Sequence, residues 1–204
     1  GGTGGYPAAI RAGQLGKKVV CINAWLNRDG KPAFGGTCLN AGCIPSKALL
    51  ESSEMLHKAQ HELTLHGITT GKVAFDLAAM QARKNKISSG LTGGIGALFK
   101  ANGVTGIEGW ARLLGDGKVE VTPHKGDKQT LEAEHIIIAT GSEPVQLKIA
   151  PHDGEFIVDS WDALDFTAVP KRLGIIGAGV IGVELGSVWS RLGAETVLLE
   201  AAES

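Results

Sequence analysis

Between Leu173 and Glu200 the chain reads, without interruption, as strand, glycine-rich turn, helix and strand. Leu173 to Ile176 is short and apolar, and Gly177-Ala178-Gly179-Val180-Ile181-Gly182 follows it directly. Ile181, Leu185, Trp189 and Leu192 then recur at helical spacing, Gly193 stops the helix, and Glu195 to Leu199 is again extended. Two such strands joined by a helix lie parallel in one sheet, which restricts the fold to an α/β arrangement. The glycines have separate mechanical parts: a tight turn at Gly177, backbone approach to a pyrophosphate at Gly179, and helix–strand packing at Gly182. Glu200, 23 residues after Gly177, suits the two ribose hydroxyls of NAD and repels the 2′-phosphate of NADP. The plainer alternative is a glycine-rich turn that holds no ligand.

A second constrained stretch runs from Gly35 to Lys47 and holds two of the three cysteines, Cys38 and Cys43. Ile44 to Leu50 looks like the start of a helix. On an ideal helix, Cα atoms five residues apart are roughly 8–9 Å from each other, whereas a disulfide needs about 4.4–6.8 Å. A bond between the two would therefore need a departure from ideal helix, for which Gly42 supplies freedom. It would close a very short loop, a poor staple but a suitable labile redox couple. Two thiols packed in an apolar helix start remain the alternative. A second ligand pair at metal-site spacing is absent, so no metal site is expected.

The remaining chain supplies further elements. Gly1 to Gly5 precede a small-residue helical face of Ala8, Ala9, Ile10, Ala12 and Leu15, then Gly16 and a strand from Lys18 to Ile22. Gly2 and Gly5 fit the second and third glycines of another dinucleotide fingerprint, whose first glycine would precede Gly1. The chain is thus expected to begin inside that motif. The plainer alternative is again a glycine-rich turn. Asn23 stands where such a unit carries its ribose-binding acid; otherwise it is an exposed turn residue opening 23–32. A long helix is expected from Ser46 to His66, with Leu49, Leu56 and Leu63 inward and Gly67 as cap. Asp76 caps a second, whose buried stripe is Met80, Ile87, Leu91, Ile95 and Leu98. Glu51, Glu54, His57, His61 and His66 spread around the first helix as a solvated face. Val104–Leu114 and Lys118–Thr122 flank Gly115-Asp116-Gly117 as a hairpin, and 130–139 is expected as a further strand. Pro144, Pro151 and Asp153-Gly154 mark a crossover.

Composition closes off other classes. Net charge is −1, from 20 basic and 21 acidic residues, which gives no reason to expect nucleic acid or an anionic membrane. No apolar run approaches the ~18 residues of a membrane span, and no secretory signal is visible. Three cysteines in such a chain point to a reducing compartment. The 30 glycines are about twice average usage, and they cluster at 1–5, 90–96 and 174–186 as turns and close backbone approaches.

Gly35-Gly36-Thr37-Cys38-Leu39-Asn40 and Gly42-Cys43-Ile44-Pro45-Ser46-Lys47-Ala48-Leu49-Leu50 together resemble the redox-active segment of the dihydrolipoamide dehydrogenases. These are flavoproteins of the pyridine nucleotide-disulfide oxidoreductase family; Ala41 stands where valine is more usual. The resemblance implies an α/β fold of FAD/NAD(P)-binding Rossmann-like domains with a parallel sheet and a β-meander, truncated at both ends. It places an FAD-binding domain, lacking its first strand, at 1–145 and the incomplete start of an NAD-binding domain at 146–204.

It further implies a Cys38–Cys43 disulfide, with Cys38 exchanging with substrate and Cys43 against the flavin. Gly2, Gly5, Gly36 and Thr37 would contact FAD, and so would Ala139-Thr140-Gly141-Ser142, which resembles the family's second flavin signature. Asn23 departs from the usual glutamate and would hold ribose without charge. Lys47 would sit beside the flavin, with Glu184 on the nicotinamide side as its candidate partner, and NAD would occupy Gly177, Gly179, Gly182 and Glu200. The general base, a His–Glu pair from the partner subunit, would lie outside this sequence. Expected partners are dihydrolipoamide on a lipoyl domain, a second copy in a homodimer, and a 2-oxo acid dehydrogenase complex or the glycine cleavage system. The expected location is the bacterial cytoplasm or the mitochondrial matrix. Glutathione and mercuric reductases are related alternatives. Glu200 argues against the NADP preference of the former, which also tends to carry lysine where Ser46 stands. A non-catalytic nucleotide-binding fragment is a third.

Overall fold

A computed structural model describes residues 1–201. The chain divides into two compact units, one of residues 1–40 with 88–143, the other of residues 41–87 with 144–204. Residues 41–87 fall in the second unit. Residues 202–204 of the expected second domain lie outside the described residues.

In the first unit, helix α1 (Tyr6–Gln14) leads through a turn at Gly16 into strand β1 (Val19–Asn23). A short helix, α2 (Gly36–Ala41), follows a long excursion. The later part of helix α4 (Leu77–Ala101) belongs here, with strands β2 (Val104–Gly115), β3 (Lys118–Pro123) and β4 (Gln129–Glu132). The sheet order is β1-β2-β3-β4. β2 pairs parallel to β1 over Val104 to Glu108, then turns into an antiparallel meander with β3 and β4. The hairpin forms as its glycines dictate, Asp116 and Gly117 both taking positive φ (48° and 72°), the geometry that matches strand twist.

In the second unit, helix α3 (Cys43–His61) runs into a 3₁₀ turn (Leu63–His66) closed by left-handed Gly67. The helix thus starts three residues earlier than expected and loses α-geometry at Glu62. The amides of Gly67 and Ile68 bond back to Thr64 and Leu63 instead, which tightens the end. Asp76 caps α4 as expected, its Oδ1 accepting from the Ala79 amide at 3.1 Å. Helix α5 (Ser160–Ala163) is short, and β5 (Arg172–Ile176), helix α6 (Val180–Arg191) and β6 (Glu195–Leu199) form the parallel βαβ unit. Its core joins Leu49 and Leu56 of α3 to Ala163, Leu164, Leu185, Val188, Trp189, Leu192 and Ala194.

Three apolar expectations are corrected. Along α4, Ile95 is buried but Leu91 and Leu98 are exposed, and Lys84 and Phe99 take inward positions. Lys84 sits buried because its ammonium donates to the Leu164 carbonyl at 2.8 Å and pairs with Asp165, so the inward row is not purely apolar. Phe99 is held by an edge-on contact with Phe34 at 5.0 Å. The strand expected over 130–139 ends at Glu132. Ile137 and Ile138 stand 70% and 69% exposed, with no described strand beside them to pair with. Ile181, in the first turn of α6, is 57% exposed, because the face that meets the core begins at Leu185.

The crossover contains a titrating contact. His152 Nε2 lies 2.6 Å from Asp162 Oδ2. That hydrogen bond, aided by the charges of Asp159 and Asp153, raises the imidazole pKa above its ordinary value. A raised folded-state pKa contributes stability below pH ~6.5, and the contribution fades as pH rises through the folded value. His152→Gln is therefore expected to lower the melting temperature at pH 5.5 and to match wild type at pH 8.5. An equal deficit at both values would contradict this.

Candidate functional site

Backbone, rather than side chains, forms the first unit's candidate site. Gly2 bridges to Gly35 in parallel, and the Gly35 amide donates to the Gly1 carbonyl at 2.9 Å. Gly36 takes φ +59°, and a Cβ there would lie 2.6 Å from the Gly2 Cα. Glycine at 36 is thus demanded twice, by dihedral and by space. Gly5 opens α1, its Cβ position 3.7 Å from the Ala139 methyl. The Thr37 hydroxyl donates to the Ser142 carbonyl at 3.2 Å, tying α2 to the turn after Ala139, where Gly141 has φ +93°. The structure therefore brings Gly2, Gly5, Gly36, Thr37 and the 139–142 turn together, although that turn does not follow the strand expected before it. Such a side-chain-free cradle at a helix start fits the pyrophosphate of a dinucleotide.

Asn23 ends β1 and is buried, not an exposed turn residue, with Nδ2 donating to the Ala33 carbonyl at 2.8 Å. That partner lies ten residues on, and no local sequence signal marks it.

Both motif cysteines are thiols in this structure. Cys38 is half-buried on α2 in the first unit, and Cys43 is exposed as the first residue of α3 in the second. Cys21 is buried on β1, and burial pushes its thiol pKa up, keeping it protonated and unreactive. At the start of α3, Lys47 Nζ pairs with Glu184 Oε1 at 2.5 Å. Glu184 is on α6, so the pairing expected between these residues is present. The buried Ser46 hydroxyl lies 3.2 Å from the other carboxylate oxygen, Glu184 Oε2, and 3.1 Å from the Cys43 carbonyl. Sequence reasoning assigned Ser46 no such contact.

The second glycine motif has the geometry its spacing implies. Gly177 adopts φ +101°, and a Cβ on Gly182 would lie 2.1 Å from the Gly177 carbonyl oxygen. Around the Cβ position of Gly179 nothing lies within 4 Å, so the backbone at the N-cap of α6 is open to a ligand. Glu200 follows β6, its two oxygens accepting from the amides of Ala178 and Ala201, each at 2.8 Å. This fixes the carboxylate beside the fingerprint turn. The donor set fits a second dinucleotide whose ribose meets an acid.

The helix acids are engaged otherwise. Glu54 pairs with Lys58 and Arg191, and Glu51 with Arg83.

The pyridine nucleotide-disulphide oxidoreductase profile matches residues 1–204. The chain is 50% identical over 203 residues to dihydrolipoyl dehydrogenase 3 of Pseudomonas aeruginosa, covering 99% of this chain and 42% of that protein. It is 47% identical over 202 residues to the mitochondrial dihydrolipoyl dehydrogenase of Pisum sativum, covering 99% and 39%. Among solved structures, LpdA from Mycobacterium tuberculosis superposes with a TM-score of 0.85 at 25% identity, over 98% of this chain and 43% of that one. The chain thus spans about two-fifths of the length of the curated relatives it matches.

Proposed function

The chain belongs to the pyridine nucleotide-disulphide oxidoreductase family, and on that premise we propose that it is the dithiol- and dinucleotide-binding part of a dihydrolipoyl dehydrogenase. The carrying observation is the run Gly35–Lys47: it supplies the Gly36 wall of the cradle, thiols at Cys38 and Cys43, and a lysine ion-paired to the fingerprint helix. We assign FAD to residues 1–145, held by Gly2, Gly5, Asn23, Gly36, Thr37 and Ala139 to Ser142, and NAD to 146–204, held by Gly177, Gly179, Gly182 and Glu200. Lys47 would be the cation on the flavin side, and Glu184 the acid on the nicotinamide side.

In the oxidised protein Cys38 and Cys43 share a disulfide. A thiolate of dihydrolipoamide attacks Cys38 Sγ, the protein S–S bond breaks, and Cys43 departs as thiolate. The second substrate sulfur then attacks the first, closing the lipoamide disulfide and expelling Cys38. The substrate has lost two electrons and two protons, and the protein disulfide has become a dithiol. Bound FAD supplies a two-electron carrier between dithiol and nicotinamide. Lys47, ion-paired to Glu184, would place a cation beside the flavin, where it would favour the reduced, anionic form. The base that deprotonates the substrate is proposed to be a His–Glu pair of the partner subunit in a homodimer, outside residues 1–204. The protein would serve a 2-oxo acid dehydrogenase complex or the glycine cleavage system, in the bacterial cytoplasm or the mitochondrial matrix. Among the described residues no helix is long and apolar enough to cross a membrane.

The direct test is turnover by the flavin-loaded full-length protein. It should oxidise dihydrolipoamide with NAD, and it should not reduce glutathione disulfide or mercuric ion with NADPH at comparable rates. The reverse pattern would overturn the reading in favour of a related reductase, and a colourless protein that never takes up FAD would reduce it to a binding module. Residues 1–204 alone should not turn over dihydrolipoamide. Glu200 should make NADH bind at least about tenfold tighter than NADPH, and Glu200→Ala should remove most of that ~1.4 kcal/mol preference. Fluorescence titration checks this; equal affinities in wild type would contradict the role of the acid.

A further inference from the structure

The acids and histidines of α3 fall into two groups. Glu54 pairs with Lys58 and Arg191, and Glu51 with Arg83, so these carboxylates are matched by cations. The last turn differs. His57 and His61, four residues apart and therefore on one face, bring their ring centroids to 4.8 Å with the planes 45° apart. Glu62, the C-cap, folds its carboxylate back over the same turn, with Oε1 3.8 Å from His57 Nε2.

That last separation is too long for a hydrogen bond. It is close to the about 3.4 Å between two ligand atoms that each lie roughly 2.0–2.2 Å from one tetrahedral ion. The two rings are tilted rather than stacked, and the χ2 torsion of histidine is soft, so small rotations turn one nitrogen of each ring toward a common point. The His57 and Glu62 side chains are 42% and 43% exposed, and His61 is exposed, so an ion reaches the turn directly from water. The end of a helix also favours positive charge, because its last carbonyls carry the negative pole of the dipole. α-Geometry stops here and a 3₁₀ turn begins at Leu63, so a bound ion would tie the final turn to the residue that caps it.

We propose that His57, His61 and Glu62 bind a divalent transition-metal ion. Two imidazole nitrogens and one carboxylate oxygen are the protein ligands, and water completes the shell. Imidazole selects ions such as Zn²⁺ and Cu²⁺ over Mg²⁺ and Ca²⁺, which take oxygen ligands, and Cu²⁺ binds tighter than Zn²⁺ in a site of this kind. None of the residues assigned to the dithiol or to a dinucleotide takes part, so the proposal stands apart from those assignments. A second cluster, His152 with Asp159 and Asp162, holds its candidate atoms within 4.8 Å of one another. Its atoms are committed elsewhere: His152 Nε2 lies on Asp162, and Asp159 Oδ1 accepts from the amides of Trp161 and Asp162. That cluster serves as the control.

The test titrates Zn²⁺ by calorimetry into oxidised, flavin-loaded full-length protein whose free thiols have been alkylated, so that sulfur does not compete. Electron paramagnetic resonance with one equivalent of Cu²⁺ counts the nitrogen ligands. Wild type should show a site that His57→Gln or His61→Gln weakens about tenfold or more and that the double variant abolishes. The Cu²⁺ spectrum should carry splitting from two nitrogens, falling to one in either single variant. Glu62→Gln keeps the shape but removes the charge, and should weaken Zn²⁺ by less. His152→Gln should leave the isotherm unchanged. Zn²⁺ binding that is absent from wild type, that survives the double histidine variant, or that is lost in His152→Gln instead would overturn the proposal.

Discussion

Serine in place of Cys43 or Cys38 is expected to lower dihydrolipoamide oxidation by the flavin-loaded full-length protein by roughly three orders of magnitude or more. A hydroxyl has no disulfide state, so neither variant can accept the substrate's electrons by exchange. The two should differ in their spectra. If Cys43 is the sulfur beside the flavin, Cys43→Ser loses any long-wavelength absorption on reduction, whereas Cys38→Ser keeps the Cys43 sulfur and with it the band. Cys21→Ser should leave turnover near wild type, because that thiol is buried on β1 and its pKa is raised by burial. Steady-state rates with absorption spectra of the three variants check this. Wild-type activity in Cys38→Ser would contradict the exchange role.

Trp189→Ala is expected to be the most damaging change outside the motif. The indole is fully enclosed in the second unit's core, donates through Nε1–H to the Ala163 carbonyl at 3.1 Å, and packs on the Phe166 ring at 5.1 Å. Truncating a buried aromatic to alanine costs about 3–5 kcal/mol, and the Ala163 carbonyl is left buried without its donor. Since α6 also carries Glu184 and opens at Gly179, loosening it should weaken dinucleotide binding as well. Urea unfolding of wild type, Trp189→Ala and Trp189→Phe measures the effect. Phe should recover the packing but not the hydrogen bond, and a loss below ~1 kcal/mol in the Ala variant would contradict this view of the core.

Where sequence reasoning succeeded, the physics was local. Asp116-Gly117 specifies a turn by its dihedrals, Asp76 caps by its own side chain, and the 177–182 glycines follow from backbone contacts inside one βαβ unit. Where it missed, the deciding partner was distant in sequence. Lys84 looks like a surface residue until Leu164 and Asp165 supply its acceptor and counter-charge. Leu91 and Leu98 fit a helical stripe, yet the burying face is rotated toward Ile95 and Phe99. Ile136 to Ile138 have strand composition but no described neighbour to pair with. Helix α2 went unread because six residues opening on a positive-φ glycine carry no periodic signal. The glycine cradle itself joins Gly2 to Gly36 and Thr37 to Ser142, contacts that only a known motif, not composition or period, brings into view.

The central claim is that the two sulfurs of Gly35–Lys47 form a redox couple in electronic contact with a flavin. Anaerobic titration of the purified, flavin-loaded full-length protein with one equivalent of dihydrolipoamide tests it most directly. A new long-wavelength absorption band, appearing with loss of one disulfide and absent in Cys43→Ser, is the predicted result. Bleaching of the flavin without that band, or no spectral change while both cysteines stay alkylatable throughout, would contradict the account.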